Sequence, residues 1–539
     1  MQHLHGLEDD EDIATGDTIA GCDQDLGDDR GKRRDYRPSM TVADSRRRGP
    51  GLASAQNLVS VGVTAVVDCD GAPGGIDDER GGFMTHSVGV DLVEREVIVE
   101  EPEPRGGAAP IGVLDCFFNR GSSWGGGRPI PPIRRVAGTV PPMGYTFLLL
   151  KEGVPAADLW AEGNLIENAH YRVKVDPETG GLLELFDKAL EHDFAGTYEG
   201  WRPGQYIYET VDSPDDRLAI ANIDFDHPDF FEGSRNTPWV REIATSVDLD
   251  EATINEGRAS LKVTIAAPGV RSASVVYSLD AGARSLGIDW TLDKIENPKA
   301  EAVFIAFPFA MDKSSFQLDL NGIPSIPNED QLDGAAKDWY PVGRWVDVSD
   351  EKRGVTIVPL DAPLVHLGGI TTGKWSRTLQ PEGPTIMSWA LNNHWLVNFK
   401  SSQGGEIPLR YRLTTHAGAV DPAAAARYAA EIAVAPIVLR DIAPSGETSG
   451  SFYSTDIGLP VMVTSKPAED DGWVALRVQN LSRDGVTGMV DFTSAPSEAR
   501  AADPLEHPGE ELTLADRRLA VALKPLEIRT VLVSFGKNA

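Results

Sequence analysis

Short runs of alternating apolar and polar residues recur from about residue 111 onward, and this period-two pattern constrains the chain more than any other feature. Tyr171, Val173 and Val175 alternate with Arg172 and Lys174, the turn residues DPETGG follow, and LLELFDK returns, which predicts a hairpin. Leu261, Val263 and Ile265 alternate with Lys262 and Thr264, and SVVYSLD, SLGIDWTLDK and PLRYRLTTH repeat the texture. Side chains on a strand point alternately to opposite faces, so such runs describe antiparallel sheets with one face buried, stacked as sandwiches. The predicted class is all-β: a large supersandwich, then a smaller β-sandwich.

One helix interrupts this pattern. In DPAAAARYAAEIAV, Asp421 suits the cap, Pro422 the first helical position and the alanines the interior. The expected organisation is a disordered or non-native segment over residues 1–108, a large β-unit over 109–436 closed by that linking helix, and a last β-sandwich over 437–539. The disorder is read from acidic blocks running into a basic one (Arg30 to Arg37, Arg46 to Arg48) and then into Gly- and Pro-rich sequence. VDLVEREVIVEE at 90–101 has strand-like alternation without an obvious neighbour to pair with.

A formal net charge of -32 repels phosphate backbones and anionic lipid surfaces, so neither nucleic acid nor membrane is an expected partner. Cys22, Cys69 and Cys116 all lie in the first quarter, which leaves the body of the chain without a disulfide. With no secretory start and no long apolar run, a cytoplasmic protein is expected. His227-Pro228-Asp229 reads as a loop and His3 with His5 as an unstructured pair, so no metal site is assigned. No GxSxG or GxxxxGK[ST] motif offers a serine nucleophile or a phosphate loop.

Several segments, in order, resemble glycoside hydrolase family thirty-eight, the class II α-mannosidases: VPPMGY (140–145), NLIENAHYRVKVDPETGGLLELFDK (164–188), AEAVFIAFPFAM (300–311), NEDQLDGAAKDWYPVGRWVDVSDEKRGVTIV (328–358), DAPLVHLGGI (361–370) and SWALNNHWLVNFKSSQGGEIPLRYRL (388–413). The resemblance implies that the supersandwich is galactose-mutarotase-like and that the chain is the C-terminal part of a glycoside hydrolase acting on α-mannosides. In that family hydrolysis falls to an upstream α/β domain with two carboxyl groups and zinc. No catalytic residue is therefore assigned to this chain, and no cofactor, the zinc being expected in that other domain. The segment before VPPMGY is too short for it, so the chain is not expected to be catalytically self-sufficient, and a separate catalytic chain or a second copy is the expected protein partner.

Flat tryptophan faces suit the C–H faces of a pyranose, and amides or carboxylates suit its hydroxyls. On that ground Trp345, Asp347, Asn392, Asn393, Trp395 and Gln403 are the candidate carbohydrate-binding residues. His394 is expected to be structural. Two other functions stay open: a non-catalytic carbohydrate-binding protein, and an aldose epimerase or polysaccharide lyase, which needs paired His and Glu or Tyr and Lys in a cleft.

Overall fold

The computed structural model describes residues 63–67, 95–102, 133–140, 143–149, 158–213, 237–372, 377–394, 402–434, 437–439, 446–456 and 459–536. The three cysteines, His3, His5, His227, Asp229 and Trp395 lie outside them. Strands dominate and are almost all antiparallel, as the alternation predicts.

The main core lies among three sheets. A ten-stranded sheet runs in the order Ser246–Leu249, Arg258–Ala266, Val270–Asp280, Leu286–Lys294, Gly405–Ala417, Arg353–Pro359, Val346–Ser349, Ser315–Leu320 and Ile323–Ser325, with Thr253–Asn255 paired to Arg258–Ala266. A six-stranded sheet runs Trp239–Glu242, Tyr206–Val211, Glu301–Pro308, Thr385–Asn392, Leu364–Leu367 and Tyr340–Pro341. The third contains Tyr171–Val175 and Leu182–Asp187, the predicted hairpin, closed by the backbone bond from Gly180 to Asp176 with Gly180 at φ +75°. Leu261, Val263 and Ile265 enter this core while Lys262 and Thr264 face solvent. The strand Glu301–Pro308 is buried on both faces, which places it centrally.

Two further sheets build a second core around Val463, Leu476, Val478, Val490, Phe492, Leu519 and Val531. Between the two cores lies the helix Pro422–Ala433, where the Asp421 side chain accepts from Ala423 N at 2.9 Å and Pro422 occupies the first turn. Its alanines let it sit close to Trp345, Val358, Met462 and Leu481.

Two strands fall within the 1–108 stretch that composition marks as disordered. Val63–Val67 pairs in parallel with Ile437–Leu439 and Gly144–Leu149, and Arg95–Pro102 pairs antiparallel with Ile133–Val140. From Arg95 onward, the alternating run noted in the sequence thus has a partner. No helix among the described residues is long and apolar enough to cross a membrane.

Candidate functional site

The six-stranded sheet has an inner face in the main core, with Tyr206, Val303, Ile305, Phe307, Val365 and Ile386, and an outer face of different character. Ile207, Phe304 and Trp389 form a cross-strand row on the outer face, the Phe304 and Trp389 rings stacked at 6.2 Å and 6°. His366 meets both rings edge-on at 5.3 and 4.8 Å, and His394 lies 5.5 Å from Trp389 and 5.1 Å from Trp239.

Glu209 lies on the same face, opposite Arg241 in the sheet register, and the pairing brings Arg241 Nε to 2.7 Å from Glu209 Oε2. Oε1 has no hydrogen-bond partner among the described residues and stands 3.9 Å from His394 Nε2. Burial pushes the Glu209 carboxyl above the ordinary carboxylate range, and Arg241 pulls it partly back. His366, with no exposed surface, is pushed down to about 3 by burial, then by His394 and Arg241. Its Nδ1 accepts from Thr371 N at 3.0 Å, so the neutral ring carries its proton on Nε2. This arrangement can hold one carboxylate, one guanidinium and a neutral imidazole in a dry aromatic setting, where each unpaired polar atom is costly.

Thr371 connects that buried group to a surface cleft lined by Lys337, Thr371, Thr378, Gln380 and Glu382 and by the Gly368–Ile370 backbone. Tyr198 OH donates to Glu382 Oε2 at 2.8 Å; burial and then the carboxylate hold this phenol above its usual range, so it stays a donor. The close approach requires glycine: Gly369 has φ +141°, and a Cβ there would stand 2.4 Å from the Tyr198 hydroxyl. Lys337 is 6% exposed, and its ammonium donates to Ala335 O at 3.2 Å without an ion pair among the described residues.

The residues singled out in the sequence are scattered over two sheets. Trp345 is 1% exposed and packs under the linking helix, so both ring faces are covered and the sugar-stacking expectation is corrected for it. Asp347 has no exposed surface and accepts from the Thr356 hydroxyl at 2.6 Å and from His416 Nε2 at 2.9 Å, a structural carboxylate rather than a surface one. Asn393 is tied down as well: Oδ1 accepts from Glu301 N at 2.6 Å, and Nδ2 donates to Asn297 O and Lys299 O at 3.0 and 2.8 Å, which leaves its amide little capacity for a ligand. Asn392 is half-buried at the end of its strand, and Gln403 is exposed just before Gly405–Ala417. The structure therefore does not gather the five described candidates into one site, and Trp395 lies outside the described residues. Sequence reasoning passed over Glu209, Arg241, His366, Lys337 and Glu382; the Gly368-Gly369 pair in DAPLVHLGGI was the one local signal for a close backbone approach.

Residues 166–362 match the family model described as "Glycosyl hydrolases family 38 C-terminal domain", and residues 461–531 match "Glycosyl hydrolases family 38 C-terminal beta sandwich domain". No curated protein matches the sequence. Among solved structures, a glycosyl hydrolase family 38 protein from Enterococcus faecalis is similar at 15% identity and a TM-score of 0.52, over 84% of this chain and 53% of that one. An α-mannosidase from Enterococcus faecalis V583 is similar at 14% identity and a TM-score of 0.49, over 83% and 50%. A galactose mutarotase-like protein from Lactobacillus casei is 11% identical with a TM-score of 0.26, over 47% and 99%. The chain spans about half the length of the two Enterococcus proteins. With both matches in family order, residues 166–362 and 461–531 carry the two C-terminal domains of glycosyl hydrolase family 38.

Proposed function

We propose that this chain serves as the β-sheet half of a glycoside hydrolase that acts on α-mannosides, binding sugar itself while bond cleavage is carried out by groups outside the described residues. The two ordered matches to the family's C-terminal models carry this reading. Retaining hydrolysis needs two carboxyl groups about 5 Å apart on either side of the scissile bond. Glu209, whose carboxyl burial holds above the ordinary range, is instead sealed against Arg241.

The zinc that the family resemblance implies does not fit the described residues, where no three His, Cys, Asp or Glu side chains come together as a metal site. A catalytic chain, or a second copy of this one, completes the proposal as partner, with a cytoplasmic location.

The test is hydrolysis of 4-nitrophenyl α-mannoside by the chain alone, with calorimetric titration of methyl α-mannopyranoside alongside. Binding without turnover is the expected result. Turnover by the chain alone overturns the division of labour, and absence of binding overturns the carbohydrate reading.

A second reading, aldose epimerisation, takes the Glu209–His394 approach of 3.9 Å as the base and acid that ring opening needs, and requires this buried pair to open to the sugar. Polarimetry on freshly dissolved α-D-galactose, α-D-glucose and α-D-mannose separates the two. Acceleration that disappears in Glu209→Gln supports epimerisation.

A further inference from the structure

We propose that the cleft beside Gly368–Gly369 is a subsite for an unsubstituted vicinal diol of a pyranoside, with Lys337 donating to one hydroxyl oxygen and Glu382 accepting from the neighbouring hydroxyl. The inference rests on the reading of this chain as a carbohydrate-binding one, and adds a place and a chemistry to it.

Lys337 is the starting point. An ammonium has three donors and no acceptor, and this one, 6% exposed, uses one donor on the Ala335 carbonyl. Burying a charge without matching acceptors is unfavourable by several kcal/mol in order of magnitude. The side chain lines the cleft, so a bound oxygen there would satisfy the remaining donors.

What kind of oxygen follows from the rest of the lining. Glu382 is an acceptor only, and its Oε2 already takes the Tyr198 proton at 2.8 Å, which fixes the carboxylate in place. A phosphate or carboxylate in this cleft would suit Lys337 but be repelled by the Glu382 carboxylate of the same lining, and a cation would meet the reverse. A hydroxyl both donates and accepts, so two adjacent hydroxyls can satisfy the two side chains together. Thr378 and Gln380 supply further groups of the same double character, and Gly368 and Gly369 complete the lining.

The experiment is calorimetric titration of the full chain with methyl α-D-mannopyranoside, repeated for Lys337→Met and Glu382→Gln. Glu382 is exposed, so its variant keeps the fold even where Lys337→Met does not. Each substitution is expected to weaken binding by roughly tenfold or more, the effect of one lost charge-assisted hydrogen bond. The per-O-methylated sugar, which cannot donate to Glu382, is expected not to bind. Sugar binding to the parent chain that Glu382→Gln leaves unchanged overturns the subsite while the carbohydrate reading stands. No binding of mannoside, glucoside or galactoside by the parent chain overturns that reading itself. Titration with inorganic phosphate that depends on Lys337 and is indifferent to Glu382→Gln would make the cleft an oxyanion site and overturn the diol.

Discussion

His416 Nε2 donates to Asp347 Oδ2 across 2.9 Å, from the two strands that flank Arg353–Pro359 in the ten-stranded sheet, with Asp347 wholly buried and also holding the Thr356 hydroxyl of that middle strand. Burial alone would lower the histidine's pKa, but the hydrogen bond and charge of Asp347, aided by the Ala417 and Gly418 carbonyls, raise it above its ordinary value. A raised folded-state pKa stabilises the protein fully below the unfolded value, near 6.5, and that stabilisation is lost as pH rises through the folded value. In urea denaturation, His416→Gln should therefore cost more at pH 5.5 than at pH 9, by about 1–3 kcal/mol at the acid end. A cost independent of pH would show that the pair is not charged in the folded chain.

Lys294 and Glu301 form an ion pair that is almost fully enclosed, at 2.6 Å, with Tyr208 OH and Asn297 Nδ2 also donating to the carboxylate. Removing one partner leaves the other charged and buried, at a cost of about 3–5 kcal/mol, whereas replacing both can be far milder. Lys294→Met should thus destabilise more than Lys294→Met combined with Glu301→Gln, as measured by the urea midpoint at pH 7. Equal losses would mean that the network as a whole, not the pair, holds this corner.

The alternation that places Leu261, Val263 and Ile265 inward was legible because it is local, each strand declaring its own buried face. The helix was legible for the same reason, through Asp421, Pro422 and the alanine run. The site was not. Glu209, Arg241, His366 and His394 come from four separate segments that only the non-local register brings to one face, and nothing around any of them marks it in the sequence. Trp345 and Asp347 misled because a strand states that alternate residues share a face without stating what covers that face; here it is the linking helix for Trp345 and His416 for Asp347.

Arg241 compensates Glu209, whose carboxyl is already held above the ordinary range by burial. Without the guanidinium that folded-state pKa rises further, so the folded chain resists ionising a group that ionises readily when unfolded. Stability of Arg241→Ala relative to the parent should be least affected near pH 5 and fall progressively toward pH 8, reaching a loss of about 3–5 kcal/mol. Adding Glu209→Gln to Arg241→Ala should flatten that slope. A slope that persists in the double variant would assign it to a different group.

Trp345 joins the two cores: it packs against Val358 of the large unit, Ala423 and Ala426 of the helix, and Met462 and Leu481 of the C-terminal strands. The same junction is crossed by the bidentate Arg483–Asp330 pair and by Gln479 Nε2 donating to Gly322 O at 2.5 Å. Surface-exposed ion pairs of this kind contribute about 1 kcal/mol or less, so the buried indole should carry most of the coupling. Truncating it leaves a cavity that rigid sheets on either side cannot close, with an expected cost of about 3–5 kcal/mol. Because that cost falls on the shared junction rather than inside either core, Trp345→Ala should also separate the unfolding of the C-terminal sandwich from that of the large unit. Urea unfolding followed by far-UV circular dichroism should then resolve two transitions, the smaller one restored toward the main transition by Trp345→Phe. One transition of unchanged steepness in Trp345→Ala would show that the polar contacts alone keep the two cores cooperative.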